Sequence, residues 1–365
     1  MNTLTLLEPK PGATTPPLQA YAWTGHHTYA RDPIHLVHAP SGVHTFDRGM
    51  PRPIRLSWRD TAPRAGTTWR VVVSRQPDLA DPILVAECHA PHLDIHHLFL
   101  DTCHYWQVSR DDGIASPIES FRTHALPPRW IHVPGITNVR DLGGWPLPGG
   151  NRFRQGLVYR SSELNGHLTI HDAGRRVLED ELGIRTDLDL RGEGEDVRPV
   201  LDERRVRWIN APIRPYGEII REQHHALYRR IFELFAESSN YPILFHCWGG
   251  ADRAGTVAFM LHALLDGYPE HLALDYELTT MAVWQDRHRF SSEYRALLAT
   301  LATASNNAPS PRAQVEHYLH TIGVTSATIT AIRTILIEAA VSGLNSEGGP
   351  RPPDAVSCPP PHSMK

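Results

Sequence analysis

One cysteine and one arginine in this chain have the spacing needed to hold a tetrahedral anion and attack it. They lie in the segment HCWGGADRAGT, where five residues separate Cys247 from Arg253. The preceding stretch YPILFHC predicts a buried strand, and the following stretch AGTVAFMLHALL predicts a central helix. A loop between strand and helix directs several backbone N–H groups into one concavity, to which the helix adds its positive end. The segment therefore predicts a phosphate-binding loop.

The chemistry expected of this loop is attack by Cys247 on phosphorus. The positive field of the loop favours the thiolate, which is the reactive form of cysteine. The planar guanidinium of Arg253 can hold two phosphoryl oxygens and stabilise charge in the transition state. His246 is a supporting candidate. The residues predicted to line the phosphate, where glycine permits close approach of the backbone, are Trp248, Gly249, Gly250 and Ala251.

Two other interpretations compete for this cysteine. Many cytoplasmic cysteines are simply small buried hydrophobes. A rhodanese, which transfers sulfur, also places a cysteine in an anion-binding loop, but the spacing to Arg253 and the flanking residues fit a phosphatase better. We therefore predict a cysteine-dependent phosphatase.

The loop resembles that of the atypical tyrosine phosphatases of bacteria and fungi, which reads His-Cys-x-x-Gly-Lys-Asp-Arg-Thr-Gly. Further motifs of that family follow in the same order, and together they cover roughly residues 130–285. The resemblance implies an α/β fold with a mostly parallel sheet flanked by helices, and a phosphocysteine intermediate formed without metal or cofactor. The matching stretches are Asn138–Gly144 (NVRDLGG), Gly156–Ser161 (GLVYRS), Gly183–Thr186 (GIRT) and Asp189–Arg191 (DLR).

The reaction needs a general acid that protonates the leaving oxygen and later activates water. Many relatives carry an aspartate for this step on a separate loop, but the corresponding stretch WINAPIRPYGEII has Glu218 as its only carboxylate. The resemblance implies Asp252 as the acid, the alternative being a helix-capping carboxylate. Asp141 is the reserve candidate, with a structural turn as its alternative. We expect Asp189 and Arg191 to form a structural ion pair or to orient neighbouring loops.

The loop departs from the family pattern at two positions. Ala251 replaces the family lysine, so the resemblance does not extend to the phosphoinositide affinity associated with that lysine. Ala254 replaces a hydroxyl residue that, in the family, hydrogen bonds to the cysteine sulfur and stabilises the thiolate as phosphate leaves. We therefore expect slow breakdown of the phosphoenzyme, unless Thr256 supplies the hydroxyl.

The 365 residues are enough for two domains with different patterns. Residues 31–126 predict a β-sandwich of short strands, with alternation in Trp69-Val71-Val73 and core tryptophans that resemble those of a fibronectin type III module. Residues 127–341 alternate strand and helix and predict the phosphatase domain. Rich in proline, glycine and polar residues, the segments 1–30 and 342–365 predict a disordered leader and tail.

Composition argues against several classes of partner. The net charge is only −4, without a long block of one sign, so neither a nucleic acid nor a membrane surface is expected to bind. The sequence shows no signal-peptide pattern and no apolar run of about 18 residues, which predicts a cytoplasmic protein without a membrane span.

The cysteines and histidines predict neither a disulfide scaffold nor a metal site. The four cysteines are scattered, although Cys88 and Cys103 could pair across strands if the protein were exported. Several histidines crowd the β-rich region, but His96 and His97 would face opposite sides of a strand. No metal ligand is predicted.

Together these features predict hydrolysis of phosphate monoesters, with protein phosphotyrosine as the favoured substrate. A phosphoinositide or inositol-phosphate phosphatase is the alternative enzyme. A phospho-ligand binding module with little turnover is the alternative of a different class, and Ala254 is the residue that keeps it open. The oligomeric state and the role of the β-rich region do not follow from the sequence.

Overall fold

A computed structural model describes residues 3–18, 51–282, 287–340 and 358–360. These residues fall into two compact units. The first contains residues 3–18, 51–127 and 358–360, and the second contains residues 128–282 and 287–340. The described residues form a mixed α/β structure, and their helices lie in the second unit.

The described residues of the first unit form two antiparallel sheets. One has three strands in the order β1-β2-β5, and the other has four in the order β4-β3-β6-β7. The strands are β1 Leu4–Glu8, β2 Ile54–Asp60, β3 Trp69–Ser74, β4 Leu84–Cys88, β5 His92–Ile95, β6 Cys103–Arg110 and β7 Glu119–Arg122.

The alternating side chains of these strands form one hydrophobic core. Trp69, Val71 and Val73 of β3 are buried, as their alternation predicts, while Arg70 between them is exposed. Leu56 and other residues of the three-stranded sheet belong to the same core. The described residues of this region form short strands, as their pattern predicts.

Two expectations for the first unit need correction. The leader predicted over residues 1–30 contains strand β1, because its apolar residues Leu4 and Leu6 pack into the core beside β2. Cys103 does not pair with Cys88: it forms a disulfide with Cys358, and Cys88 is a free thiol. Outside the described residues lie 1–2 and 19–30 of the predicted leader, and 342–357 and 361–365 of the predicted tail.

The described residues of the second unit contain a six-stranded sheet in the order β13-β12-β14-β11-β9-β8. Its first four strands run parallel, β9 pairs with β11 in antiparallel fashion, and β8 pairs with β9 in antiparallel fashion. A separate antiparallel pair joins β10 to β15. The strands are β8 Arg129–Trp130, β9 Arg140–Asp141, β10 Arg152–Phe153, β11 Val158–Ser161, β12 Thr186–Asp189, β13 Arg207–Asn210, β14 Ile243–His246 and β15 Ile337–Glu338.

Hydrophobic clusters cover both faces of this sheet. In β14, Ile243 and Phe245 pack into one cluster, whereas Leu244 packs into another, because successive strand residues point to opposite faces. The central helix α3, Arg253–Leu264, is buried along nearly its whole length, as its apolar sequence predicts. The helices are α1 Asp172–Arg176, α2 Glu222–Phe235, α3 Arg253–Leu264, α4 Pro269–Glu277, α5 Ser292–Ala304, α6 Pro311–Thr321 and α7 Ser326–Leu336.

Across the described ranges, no helix is long and apolar enough to cross a membrane. Nor do the His, Cys, Asp and Glu side chains of those ranges form a group of three or more that could hold a metal ion.

Candidate active site

The predicted phosphate loop joins β14 to α3 at the carboxyl edge of the parallel sheet. β14 ends at His246, α3 begins at Arg253, and Cys247 between them is buried. Gly250 has a left-handed backbone with φ of 67°, and a Cβ atom there would collide with the carbonyl oxygen of Ser161. Only glycine meets both conditions, so the tight path of the loop depends on this residue.

Arg253 lies between the cysteine and a carboxylate. Its guanidinium donates two hydrogen bonds to Glu195, with N–O distances of 2.6 and 2.8 Å, and interacts electrostatically with Cys247. Burial opposes the charge of Arg253, but Glu195 and Cys247 raise its pKa above the ordinary value. The bidentate pair therefore fixes the charged fork beside the sulfur atom.

Two buried arginines and one aspartate, here called the loop floor, hold the loop from within the protein. Arg160 donates to the carbonyl oxygen of Gly250 at 2.5 Å and pairs with Asp275 at 2.5 Å. Arg140 pairs with the other oxygen of Asp275 at 2.8 Å. Burial would raise the pKa of Asp275, but the two arginines lower it to about 2. The floor thus keeps an excess positive charge close to the loop backbone.

His246 is buried between two carboxylates and is engaged in a structural network. Its Nε2 atom lies 3.0 Å from Asp187 Oδ1, and its Nδ1 atom lies 3.8 Å from Asp189 Oδ1. Burial would lower the pKa of His246, but the two carboxylates raise it. Asp189 also pairs with Arg191 at 2.8 Å, which is the predicted structural ion pair.

Asp252 lies at the start of α3, but its side chain makes no capping hydrogen bond to the helix backbone. Instead, Oδ1 accepts hydrogen bonds from the Tyr216 hydroxyl and from Arg287 Nε at 3.1 Å, and Oδ2 accepts from Arg287 Nη2 at 3.2 Å. The side chain is 41% exposed. The carboxyl group is therefore oriented by side chains outside the loop and remains open to solvent.

Asp141, the reserve acid, is fully enclosed. It pairs with Arg129 at 2.7 Å and accepts the backbone N–H groups of Gly143 and Gly156, each at 2.7 Å. Burial raises the pKa of Asp141 despite these partners. Its contacts match the structural-turn alternative.

Sequence comparison decides the family of this site. Residues 131–338, more than half of the chain, match the profile of the tyrosine phosphatase family. The chain belongs to the tyrosine phosphatase family. The prediction of a tyrosine-phosphatase-like hydrolase is thereby confirmed at the level of the family.

A curated relative in Cupriavidus necator is named "Putative tyrosine-protein phosphatase H16_A0669". It is 28% identical over 171 residues, which make up 39% of this chain and 59% of the relative. This family member therefore spans 59% of the length of that relative.

Two solved structures of Siw14 also match. The core catalytic domain of the PP-IP phosphatase Siw14 from S. cerevisiae, in complex with citrate, is 16% identical and covers 46% of this chain and 97% of its own, with a TM-score of 0.29. A second Siw14 catalytic core is 17% identical and covers 42% of this chain and 89% of its own, with a TM-score of 0.28. These TM-scores are too low to support an inference.

Ala251 and Ala254, the two positions at which the loop departs from the family pattern, are both buried. The Thr256 hydroxyl donates to the carbonyl oxygen of Asp252 at 2.9 Å and accepts from the backbone N–H of Tyr216 at 3.1 Å. Thr256 is thus engaged at the start of α3 rather than placed to replace the hydroxyl absent at Ala254.

Trp248 contacts a side chain that the sequence did not single out. Its indole N–H donates to His167 Nδ1 at 2.6 Å, and the two rings meet edge to face with centroids 5.0 Å apart. The Trp248 carbonyl also accepts the N–H of Glu163 at 3.0 Å. This side of the loop therefore has an aromatic wall.

Three further residues beside the loop were not predicted from the sequence. Glu195, Tyr216 and Arg287 each contact Arg253 or Asp252. Glu195 follows the carboxyl end of β12, and strands of a parallel sheet bring their carboxyl ends to one edge. That topology was the available signal for Glu195. The same signal was available for Tyr216, which follows the carboxyl end of β13, whereas Arg287 carried none. We call Arg253, Glu195, Asp252, Tyr216 and Arg287 the loop mouth.

Proposed function

We propose that this protein hydrolyses phosphate monoesters through a phosphocysteine intermediate on Cys247. The observation that carries the proposal is the placement of Cys247 and Arg253 within one strand–loop–helix turn, with the Arg253 guanidinium held by Glu195. A guanidinium in this loop can hold the oxygens of a phosphoryl group that the cysteine sulfur attacks.

Two displacement steps at phosphorus complete the reaction. In the first, the Cys247 sulfur forms a bond to phosphorus, the bond to the leaving oxygen breaks, and the carboxyl group of Asp252 gives that oxygen a proton. In the second, water attacks phosphorus and gives a proton to the Asp252 carboxylate. The phosphorus–sulfur bond then breaks and releases inorganic phosphate and the thiolate. Backbone N–H groups of residues 248–251 bind the phosphoryl oxygens in both steps.

Protein phosphotyrosine is the proposed substrate class. The aromatic wall of Trp248 and His167 can stack against a phenyl ring. The loop also lacks the family lysine, since Ala251 stands in its place. Arg287 favours the second candidate, an inositol phosphate, because it brings a cation to the loop mouth.

The test is a panel of phosphotyrosine peptides, phosphoserine peptides and inositol phosphates assayed with the wild-type protein and with Cys247→Ser. We expect phosphotyrosine to be hydrolysed fastest and Cys247→Ser to retain less than about one per cent of the activity, because serine keeps the size of cysteine but lacks a ready anion. Preferential release of phosphate from an inositol phosphate would reverse the substrate assignment. A fully active Cys247→Ser would refute the mechanism.

We further propose that the first unit is a fibronectin type III-like β-sandwich and that residues 127–341 are the phosphatase domain. The division of seven strands into β1-β2-β5 and β4-β3-β6-β7, with one core between them, supports the sandwich.

A cytoplasmic location also remains our proposal, and the disulfide between Cys103 and Cys358 provides its test. Because cytosolic thiols are kept reduced, thiol trapping in intact cells should find both cysteines reduced if the protein resides there. Complete oxidation in cells would place it in an oxidising compartment.

A further inference from the structure

The segment between β13 and α2 lacks an aspartate, yet one of its residues reaches the proposed acid. The hydroxyl of Tyr216 donates to Oδ1 of Asp252. The backbone N–H of the same residue donates to the Thr256 hydroxyl at 3.1 Å, and that hydroxyl donates to the Asp252 carbonyl at 2.9 Å. Tyr216 is therefore joined by its main chain and by its side chain to the start of α3.

The conformation of Tyr216 is an unusual one that its surroundings maintain. Its φ of 59° lies in the left-handed region, which non-glycine residues rarely adopt and which costs conformational energy. Its ring meets that of Tyr276 edge to face, and the two hydroxyl oxygens lie 3.1 Å apart. Burial raises the pKa of Tyr216, and the neighbouring Asp252 and Tyr276 raise it further, so its hydroxyl keeps its proton. The side chain is a fixed donor.

Arg287 contacts the same carboxyl group. It donates from Nε to Oδ1 at 3.1 Å and from Nη2 to Oδ2 at 3.2 Å. With Tyr216 on Oδ1 and Arg287 on both oxygens, rotation of the carboxyl group about its Cβ–Cγ bond is restricted. Proton transfer depends on such orientation, because the acid must lie within hydrogen-bonding reach of the oxygen it protonates.

We propose that Tyr216 is a positioning residue that acts through Asp252, with Arg287 as the second anchor of the same carboxyl group. This inference rests on the proposed function, in which Asp252 is the acid and base. Tyr216 gives up no proton itself. It holds the Asp252 carboxyl group towards the leaving oxygen in the first step and towards water in the second.

The test is a double-mutant cycle of Tyr216→Phe and Asp252→Asn, assayed on aryl phosphates with leaving groups of graded pKa. Tyr216→Phe should lower kcat about 10- to 100-fold on poor leaving groups, since it removes a hydrogen bond to a charged group. The effect on good leaving groups and on KM should be about twofold at most. In the Asp252→Asn background, Tyr216→Phe should change kcat by no more than about twofold, because the group it orients is gone.

Matched variants separate orientation from general damage. Tyr268→Phe removes a hydroxyl from a partly exposed tyrosine at the start of α4 and should behave as wild type. Arg287→Gln should show the same leaving-group dependence as Tyr216→Phe, and Arg287→Lys should restore part of the rate. This second anchor keeps the inference testable if Tyr216→Phe does not fold, as judged by its thermal unfolding.

Additive losses in the cycle, or a loss by Tyr216→Phe that is equal for all leaving groups, would overturn the positioning role. Cys247→Ser in the same assay judges the proposed function separately. If Cys247→Ser is inactive while the cycle is additive, the phosphatase mechanism stands and only the role of Tyr216 is wrong.

Discussion

The loop floor and the loop mouth both use arginine–carboxylate pairs, but in different environments. The floor side chains Arg140 and Arg160 are fully buried, and Asp275 is 5% exposed. In the mouth, Arg253 and Glu195 are 19% and 21% exposed. In the floor, protein groups must therefore balance each charge, whereas in the mouth water can take part.

Because of this difference in exposure, similar ion pairs in the floor and in the mouth should contribute differently to stability and to catalysis. Breaking a buried pair leaves a charge without compensation, which costs several kcal/mol of stability. A pair at the mouth can exchange one partner for a phosphoryl oxygen at a much smaller cost, because solvent screens the change. We therefore expect substitutions in the floor to act on folding and those in the mouth to act on the steps of catalysis.

Asp275→Asn should have the largest effect, and it should act on stability. It leaves Arg140 and Arg160 buried without their carboxylate, at an expected cost of about 3 to 5 kcal/mol in the free energy of unfolding. Denaturant unfolding measures this. The pKa of Asp275 lies below its unfolded value, so the pair stabilises the wild type above about pH 4, and this stability is lost as the pH falls towards 2.

The variant should lack that acid-side loss, because asparagine does not titrate. A variant as stable as wild type at neutral pH would show that floor and mouth do not differ as described. Asp94→Asn in the first unit is a suitable control, since that carboxylate pairs with Arg55 at the surface and its loss should cost less than about 1 kcal/mol.

Asp252→Asn should have the next largest effect, and it should act on rate. We expect kcat to fall about 10²- to 10⁴-fold on poor leaving groups and less on activated aryl phosphates, the usual contribution of a positioned acid. Steady-state kinetics across a leaving-group series measures this. If Asp252→Asn lowered kcat equally for all leaving groups and Asp141→Asn lowered it mainly for poor ones, the acid role would pass to Asp141.

Ala254→Thr, a substitution within the loop itself, should give the smallest change, and it should act on the rate of dephosphorylation. A missing hydrogen bond to the leaving thiolate costs about 1.5 to 3 kcal/mol, which slows dephosphorylation about 10- to 100-fold. If this step limits turnover, rapid mixing of wild type with an aryl phosphate should give a burst of phenol near one equivalent. Ala254→Thr should raise the steady rate and shrink the burst.

The engagement of Thr256 with Asp252 and Tyr216 makes it the control for that experiment. Thr256→Ala should leave the burst in place. Absence of a burst in wild type, with Ala254→Thr unchanged and Thr256→Ala slower, would identify Thr256 as the compensating hydroxyl.

Local patterns predicted those features whose causes are local. The strand before Cys247 and the helix after it follow from apolar runs, and the loop follows from residue spacing over less than a dozen positions. The family resemblance likewise rests on short contiguous motifs. The position of Asp252 beside Arg253 could therefore be anticipated.

The partners of these residues could not be predicted in the same way. Tyr216 and Arg287 approach Asp252 from positions 36 and 35 residues away, and no periodicity links them. Strand β1 was missed because its five residues stand next to a proline-rich polar segment, and distant contacts stabilise it: pairing with β2 and packing of Leu4 and Leu6 into the core. Whether such elements form depends on contacts between residues far apart in the sequence.

The bond between Cys103 and Cys358 makes most of the chain a covalent ring. Its two cysteines are 255 positions apart, so the described sequence of the second unit lies inside the ring. In the oxidised protein, that unit unfolds as a closed loop with fewer accessible conformations than a free chain. A single cleavage of the backbone within the ring opens it but releases no fragment, so the sequences of both units stay covalently joined until the bond is reduced.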